Sequence, residues 1–317
     1  MHPIFYKLAL AVALAVKAVI DIAVRVAGPL FVLVALSLMC ACGFTFYAGI
    51  LPYYTPYDSP LGWLHVLWSA WLVFNFAFNY LMCIFTSPGH SPDRFSDADN
   101  AALLEQLRSE PAPKKGQGFS RYCKTCKKPK PERSHHCSIC GRCVLKMDHH
   151  CPWVSNCVGH GNHRFFALFL VYLALSCVWV ASLAYGPFSQ RKVLDVHWFG
   201  VSSRGTLVFT FVVTFAIAIA LGLMLVWQLW LALTAQTTIE FYFNRWQKLQ
   251  ATKKGDTAWR HPYDRGYVLN FQDFFNAHDR LWWLTWALPS TVGSSGDGVS
   301  WPHADRTREI HDDEHVV

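Results

Sequence analysis

CKTCKKPKPERSHHCSICGRCVLKMDHHCPWVSNC, residues 123–157, holds seven of the chain's eleven cysteines and four histidines, the latter as the pairs His135-His136 and His149-His150. Thiolate sulfur and imidazole nitrogen are the donors that tetrahedral Zn²⁺ prefers. Cys123 and Cys126 are separated by two residues, and Cys137, Cys140 and Cys143 repeat that gap. A two-residue gap lets a tight turn aim both sulfurs at one ion. Seven cysteines do not divide into four-cysteine sites, whereas two Cys₃His sites take six cysteines and two histidines and leave one thiol and two imidazoles without a metal.

The neighbours of Cys151 mark it as the spare thiol. It follows Asp148-His149-His150, so a carboxylate, a base and a thiol lie together. A zinc-bound His150 would pin the backbone beside Cys151. His149 could then take the thiol proton, with Asp148 setting the imidazole tautomer, which is the nucleophile, base and orienter logic of covalent catalysis. A free thiol with pKa about 8.5 is mostly protonated at neutral pH and needs such a neighbour. The competing reading is a scaffolding zinc module in which Cys151 is a ligand or a bystander; the odd cysteine count and the adjacent Asp-His argue against it.

The stretch resembles the cysteine-rich domain of the DHHC family of protein S-acyltransferases (palmitoyltransferases). The resemblance runs through the first Cys pair, Lys-Pro and Arg133, His136-Cys137 and the two cysteines after it, Asp148 through Trp153, Cys157, Asn162 and Phe165-Phe166. It implies one zinc on Cys123, Cys126, His136 and Cys143, and a second on Cys137, Cys140, His150 and Cys157. It also implies Cys151 as the acylated nucleophile, His149 as its base and Asp148 as the partner of His149. Long-chain acyl-CoA (palmitoyl-CoA) is then the cosubstrate, and cysteines of proteins near the cytosolic membrane face are the acceptors. Two readings from other classes compete: a membrane-anchored zinc ubiquitin ligase, whose two-zinc modules have other gaps and no such thiol, and a non-catalytic adaptor on the same fold.

Composition agrees with a membrane protein: 53% hydrophobic residues and only 15% charged in 317 residues. A net charge of +7 fits anionic headgroups or a phosphate-bearing cosubstrate, and basic residues mixed among long apolar spans argue against nucleic acid. Cysteines clustered with histidines indicate metal in a reducing compartment, not a disulfide frame.

The expected fold is an all-α integral membrane protein, with four transmembrane helices and a cytosolic two-zinc domain between spans two and three. Residues 1–27 carry Lys17, Asp21 and Arg25 four apart, on one helical face, and read as an amphipathic helix on the cytosolic surface, with a fifth span as the alternative. Residues 28–85 contain spans one (28–51) and two (61–85), each near the ~20 apolar residues that crossing requires. His65 and Asn75 in span two are read as interhelical or interfacial polar groups, and Cys40, Cys42, Cys83 and Cys177 as buried apolar residues. Residues 86–164 form the polar segment, with 97–110 expected as a short helix and 111–118 as a linker. That segment is rich in Lys and Arg, whereas the loop at 52–60 has none, so the positive-inside rule puts it in the cytosol. Residues 165–239 contain spans three (165–190) and four (205–239), joined by a lumenal loop, and 240–317 is a cytosolic tail. Both termini are then cytosolic, in the endoplasmic reticulum or Golgi membrane.

Three features outside the zinc stretch also matter. Thr237-Thr238-Ile239-Glu240 is read as closing span four; it resembles the family's Thr-Thr-x-Glu motif, which implies that Thr238 supports Asp148, with Glu240 as a further structural partner. HPYDRGYVLNFQDFF, 261–275, resembles the family's C-terminal motif, which implies that Asn270 ties the tail to the membrane domain; its first residue is His261, where many members have Asn. By family register, Ser176 in span three sits near the end of the acyl cavity. LWWLTWAL, 281–288, is read as interfacial and 290–317 as mostly disordered.

Overall fold

The computed structural model describes residues 3–90, 122–196, 202–255 and 260–302. Helices dominate, and four of them are long and apolar enough to cross a bilayer. The first, α1 (Pro3–Thr45), is one uninterrupted 43-residue helix. A π-helical turn (Phe46–Ile50) and a last α-turn (Leu51–Tyr54) extend it. The other three are α2 (Pro60–Phe85), α3 (His163–Ser189) and α4 (Ser203–Leu233). Ser59 and Ser202 cap α2 and α4 by accepting the backbone N–H of Gly62 and Gly205.

No break separates residues 1–27 from span one. At 1.5 Å per residue, α1 is about 64 Å long, roughly twice the hydrocarbon thickness of a bilayer. The charged stripe expected to face lipid headgroups meets protein instead. Lys17 pairs with Asp21 at 2.6 Å and reaches Ser138 Oγ at 2.8 Å, while Arg25 donates to the carbonyls of Ser138 and Ile139. Both acceptors lie in the turn between Cys137 and Cys140. Gly28 sits against Ser155, with no room for a β-carbon, and Phe31 meets Trp153 edge to face. α1 is therefore a strut along the cysteine-rich segment.

α3 is the central helix, packed between α2 and α4. Its N-terminal half buries Phe165, Phe166, Phe169 and Leu170 against Tyr80 and Cys83 of α2. Span four ends earlier than expected, at Leu233, and Thr238 begins a new helix, α5 (Thr238–Lys253). Thr237 Oγ1 accepts the N–H of Glu240 at 3.2 Å, and the Glu240 carboxylate accepts the N–H of Thr237 at 3.0 Å. This is a capping box, the start signal Thr-x-x-Glu, so the motif opens a helix and does not close one.

The tail continues through α6 (Tyr267–Phe275) and the short α7 (Trp282–Thr285). Phe274 and Phe275 bury against Leu168 and Tyr172 of α3. Trp282 and Trp286 turn inward onto Phe271, while Trp283 and Leu284 stay exposed. The stretch after α7 is not loose up to residue 302. Arg164 donates to Val292 O at 2.8 Å, Ser295 N–H bonds to Asp273 O at 3.0 Å, and Trp301 stacks edge to face on His160. The expectations for 97–110, 111–118 and 303–317 lie outside the described residues. Two smaller readings change: Cys40 is exposed, and Asn75 bonds its own helix, at Trp71 O, not a neighbouring one.

Candidate active site and metal centres

The segment between α2 and α3 folds as three antiparallel hairpins. They are β1 (Tyr122–Cys123) with β2 (Lys128–Pro129), β3 (His135–Cys137) with β4 (Arg142–Val144), and β5 (His149–Cys151) with β6 (Asn156–Val158). Strand alternation explains how consecutive residues serve different purposes, because successive side chains point to opposite faces. In β3, His136 opposes Cys143 and faces one cluster; Cys137, the next residue, faces the other.

The two clusters are Cys123, Cys126, His136 and Cys143, and Cys137, Cys140, His150 and Cys157, the sets the family resemblance implies. Within each, the ligand atoms lie within 4.8 Å of one another. Cys140 Sγ is 3.4 Å from His150 Nδ1, and Cys126 Sγ is 3.3 Å from His136 Nδ1. Zn–S bonds of about 2.3 Å and Zn–N bonds of about 2.0 Å in a tetrahedron need such spacings. Among the described residues no cysteine forms a disulfide. Three sulfurs and one imidazole converging without a disulfide are a donor set that fits zinc, and the two clusters fit two sites.

In β5 the same alternation separates chemistry from scaffold. His150 faces the second cluster, so Cys151 turns to the opposite face, which it shares with His149. Cys151 is buried with Tyr80, Val154, Phe166 and Phe169 and belongs to neither cluster. Cys151 also lines the mouth of a cavity of about 380 Å³ that runs between the spans past Tyr80, Phe169 and Leu173 to Ser176 and Trp179. From Phe166 to Trp179, α3 rises by about 20 Å. The lining is almost wholly apolar.

Asp148 holds the His149 imidazole. His149 Nδ1 and Asp148 Oδ2 are 2.7 Å apart. Thr238 holds the carboxylate with its N–H on Oδ1 at 2.6 Å and its hydroxyl on Oδ2 at 3.1 Å. Gln228 of α4 adds a third donor group at 3.1 Å, and its Oε1 lies 2.9 Å from His163 Nε2. Burial opposes charge on Asp148, but the His149 bond, the neighbouring imidazoles and the Thr238 N–H keep the carboxyl below the usual carboxylate range. Burial pulls His149 down, and the hydrogen bond to Asp148, with the nearness of the Cys151 thiol, outweighs it, raising the imidazole to about 9. His149 Nε2 is buried without a hydrogen-bond partner, and the ring packs edge to face on Phe166.

Gln228 escaped sequence reasoning. Its only signal was an amide within an otherwise apolar span. Arg133 stands out in the sequence as a motif residue without an evident partner; it makes a two-point ion pair with Glu240, both contacts at 2.7 Å, and also donates to Ala235 O. Asn270 donates to Leu233 O at 2.8 Å and to Asp264 at 2.7 Å, which ties the tail to the end of α4. His261 replaces the usual Asn with two nitrogens, one 2.9 Å from Asn244 Nδ2 and one 3.2 Å from Ala235 O. Asn156 and Asn162 anchor the hairpins to the last carbonyls of α2.

A sequence model of the DHHC palmitoyltransferase family matches residues 116–245. The human Palmitoyltransferase ZDHHC16 is 32% identical over 310 residues, which cover 89% of this chain and 77% of that protein. The chain belongs to the DHHC palmitoyltransferase family. The zebrafish Palmitoyltransferase ZDHHC16A is 29% identical, covering 89% of this chain and 80% of its own length. From Arabidopsis thaliana, Probable protein S-acyltransferase 16 is 32% identical over 70% of this chain and 74% of its own. Membership makes this chain a multi-pass protein S-palmitoyltransferase.

Proposed function

We propose that the chain transfers a long-chain acyl group from acyl-CoA to cysteines of proteins at the cytosolic membrane face, through an acyl-Cys151 intermediate. The observation that carries this reading is one thiol left outside two complete Cys₃His clusters, beside an Asp148–His149 pair at 2.7 Å and at the mouth of an apolar cavity.

His149 Nε2 takes the Cys151 proton, and Asp148 holds Nδ1–H and stabilises the imidazolium. The thiolate attacks the thioester carbonyl, the bond from carbonyl carbon to CoA sulfur breaks, and His149 returns the proton to the departing CoA thiolate. An acceptor cysteine then gives its proton to His149 and attacks the acyl-Cys151 carbonyl, which frees the Cys151 thiol. This is a ping-pong sequence. The acyl tail lies in the cavity, where burial contributes about 0.8 kcal/mol per CH₂ and so favours long chains. The basic residues of the hairpin segment and of α5 draw the CoA phosphates. Zinc, when bound with four protein ligands, holds the hairpins in place and keeps no open position for chemistry. The test is mass spectrometry of Cys151 after incubation with palmitoyl-CoA: an added palmitoyl group on that residue is expected, and its absence from an active preparation overturns the assignment.

Asp148→Asn leaves one acceptor oxygen where the carboxylate serves His149, Thr238 and Gln228. The side-chain NH₂ then competes with those donors, and the imidazole tautomer with Nε2 protonated gains weight. Acylation falls by about two to four orders of magnitude with zinc content unchanged, the range for misplacing a general base. Near-normal acylation in that variant removes Asp148 from the mechanism.

Ser176 bounds the acyl chain. Its hydroxyl is spent on Tyr172 O at 2.7 Å, so the position presents a small, satisfied surface to the cavity. Ser176→Phe fills that end, and competition between acyl-CoAs should shift toward chains shorter by two or more carbons. No shift excludes Ser176 as the limit.

The hairpin segment and both termini are placed on the cytosolic face of the endoplasmic reticulum or Golgi membrane. Support comes from the Lys- and Arg-rich segment before α3 against a loop at 52–60 with none. Labelling of cysteines introduced in the loop at 52–60 only after the membrane is permeabilised is the expected result.

A further inference from the structure

A second, smaller cavity of about 30 Å³ opens between the hairpin segment and the tail, away from the acyl cavity. Arg133, Lys146, Arg265, Asp273, Phe274 and Trp301 are among its lining residues. Lys146 is 8% exposed, yet makes no hydrogen bond or ion pair among the described residues. Two ring faces approach its ammonium, Trp301 at 5.2 Å and Phe274 at 5.7 Å. Cation–π contact lowers the cost of burying such a group but does not meet its three N–H donors.

Two further donors on this wall are also unmet. Arg265 pairs with Asp273 through NH1 at 2.9 Å, which leaves Nε buried and unbonded. Trp301 Nε1 is likewise buried without a partner. The carboxylates nearby are committed elsewhere: Glu240 to Arg133 and Thr237, and Asp273 to Arg265 and His278. The two buried unsatisfied side-chain atoms on residues that line this cavity, Arg265 Nε and Trp301 Nε1, are both donors. Water has only two lone pairs to offer and must donate in turn; a tetrahedral oxyanion offers acceptors alone and carries compensating charge. The volume admits one or two oxygens of a phosphate group whose remainder stays at the open mouth.

We propose that this cavity is a phosphate-type oxyanion site, held by Lys146 with the Arg265 and Trp301 N–H groups. The donors come from three separate parts of the chain, the turn before β5, the residue leading into α6 and the stretch after α7, so an anion there ties the tail to the hairpins. Burial and the charge of Arg133 hold the Lys146 amine down at about 7, and a bound anion would act in the opposite sense.

Two kinds of phosphate reach this face, a phosphorylated lipid headgroup and the phosphates of a soluble cofactor such as CoA. The test is calorimetric titration of inorganic phosphate into the full-length protein in phosphatidylcholine nanodiscs, against chloride at equal ionic strength. Saturable phosphate binding is expected, weaker by about tenfold or more in Lys146→Gln, as the loss of a charge-assisted hydrogen bond implies. Trp301→Phe keeps the ring beside Lys146 and removes only a donor; it should also weaken binding, and it serves where Lys146→Gln does not fold. Lys192→Gln, an equal charge change in the loop between α3 and α4, should bind as the parent does. No saturable binding, or equal loss in Lys192→Gln, overturns the site. Displacement of phosphate by CoA assigns the site to the soluble cofactor; displacement in nanodiscs containing phosphatidylinositol 4-phosphate assigns it to lipid, and either supports it.

Discussion

Cys151→Ser is expected to fold, keep its full zinc content and take up no hydroxylamine-sensitive acyl label from palmitoyl-CoA. The substitution is nearly isosteric, and Cys151 lies in neither cluster, so the hairpins lose no ligand. The stability cost is that of one hydroxyl in an apolar neighbourhood of Tyr80, Phe166 and Phe169, on the order of 1–3 kcal/mol. The chemical cost is far larger. A serine hydroxyl is hardly ionised at any working pH, and removing a nucleophile that acts as a unit with its base lowers turnover by as much as about six orders of magnitude. Cys140→Ser supplies the contrast: it removes one of four ligands from the second cluster, so zinc, fold and acylation should fall together. If Cys151→Ser instead loses zinc, the scaffolding reading returns and the thiol is a ligand. Acyl label persisting in Cys151→Ser places the nucleophile elsewhere. For a non-catalytic adaptor, neither variant would alter an acylation rate, since the parent would have none.

How far the sequence reached follows from what each signal depends on. Ligand chemistry is local: a two-residue gap between cysteines has the same meaning wherever it occurs, while the interleaving of the two clusters rests on the family resemblance, whose sets converge in space. The separation of Cys151 from zinc was argued by counting, and the structure adds the mechanism, since β5 turns His150 and Cys151 to opposite faces. Apolar length picks out the four long helices but says nothing of where a helix begins. Span four was extended through Thr237-Thr238-Ile239 because those residues carry no charge, although Thr-x-x-Glu is a start signal and breaks the run at Leu233. The charges of α1 were assigned to headgroups because only headgroups were in view; Ser138 and Ile139, more than a hundred residues on, are their actual partners. Gln228 and Trp301 failed for a related reason. Each acts only through long-range contacts, and a single amide or indole has no pattern to read. Residues 290–302 looked disordered from their Gly and Ser content, yet glycine also permits close approach, and Gly293 and Gly298 rest directly on Gly161 and His160.

Breaking the Arg133–Glu240 pair on one side should destabilise the protein by about 3–5 kcal/mol, more than any other single contact between the tail and the hairpins. Both side chains are buried, 3% and 6% exposed, and the guanidinium meets the carboxylate at two points. Arg133 also lies between the rings of Tyr263 and Trp301, each 4.5 Å away. Glu240 simultaneously closes the capping box of α5 through Thr237. One pair thus joins the turn before β3, α5 and the C-terminal stretch. Arg133→Met leaves a buried carboxylate with only backbone partners; Glu240→Leu leaves a buried guanidinium and opens the cap. Each should lower the thermal midpoint strongly and release zinc on mild heating, because the first hairpins lose their attachment to α5. The double variant Arg133→Met/Glu240→Leu should be less damaged than the sum of the two, since no orphan charge remains. Additive losses would mean that the pair contributes no coupling and that packing alone explains the singles. The pH dependence has a definite sign. Burial raises the Glu240 carboxyl, the Arg133 charge outweighs it, and the folded-state pKa lies below the unfolded value. The pair's contribution is therefore complete above about 4.3, the ordinary glutamate value, and declines only as pH falls through the lower folded-state value. At neutral pH this joint holds Thr238 against Asp148, since Thr238 lies two residues from Glu240 on α5. Partial loss of the joint should slow acylation before the protein unfolds, and the order of those two events on heating Arg133→Met is the measurement that separates a positioning role from stability alone.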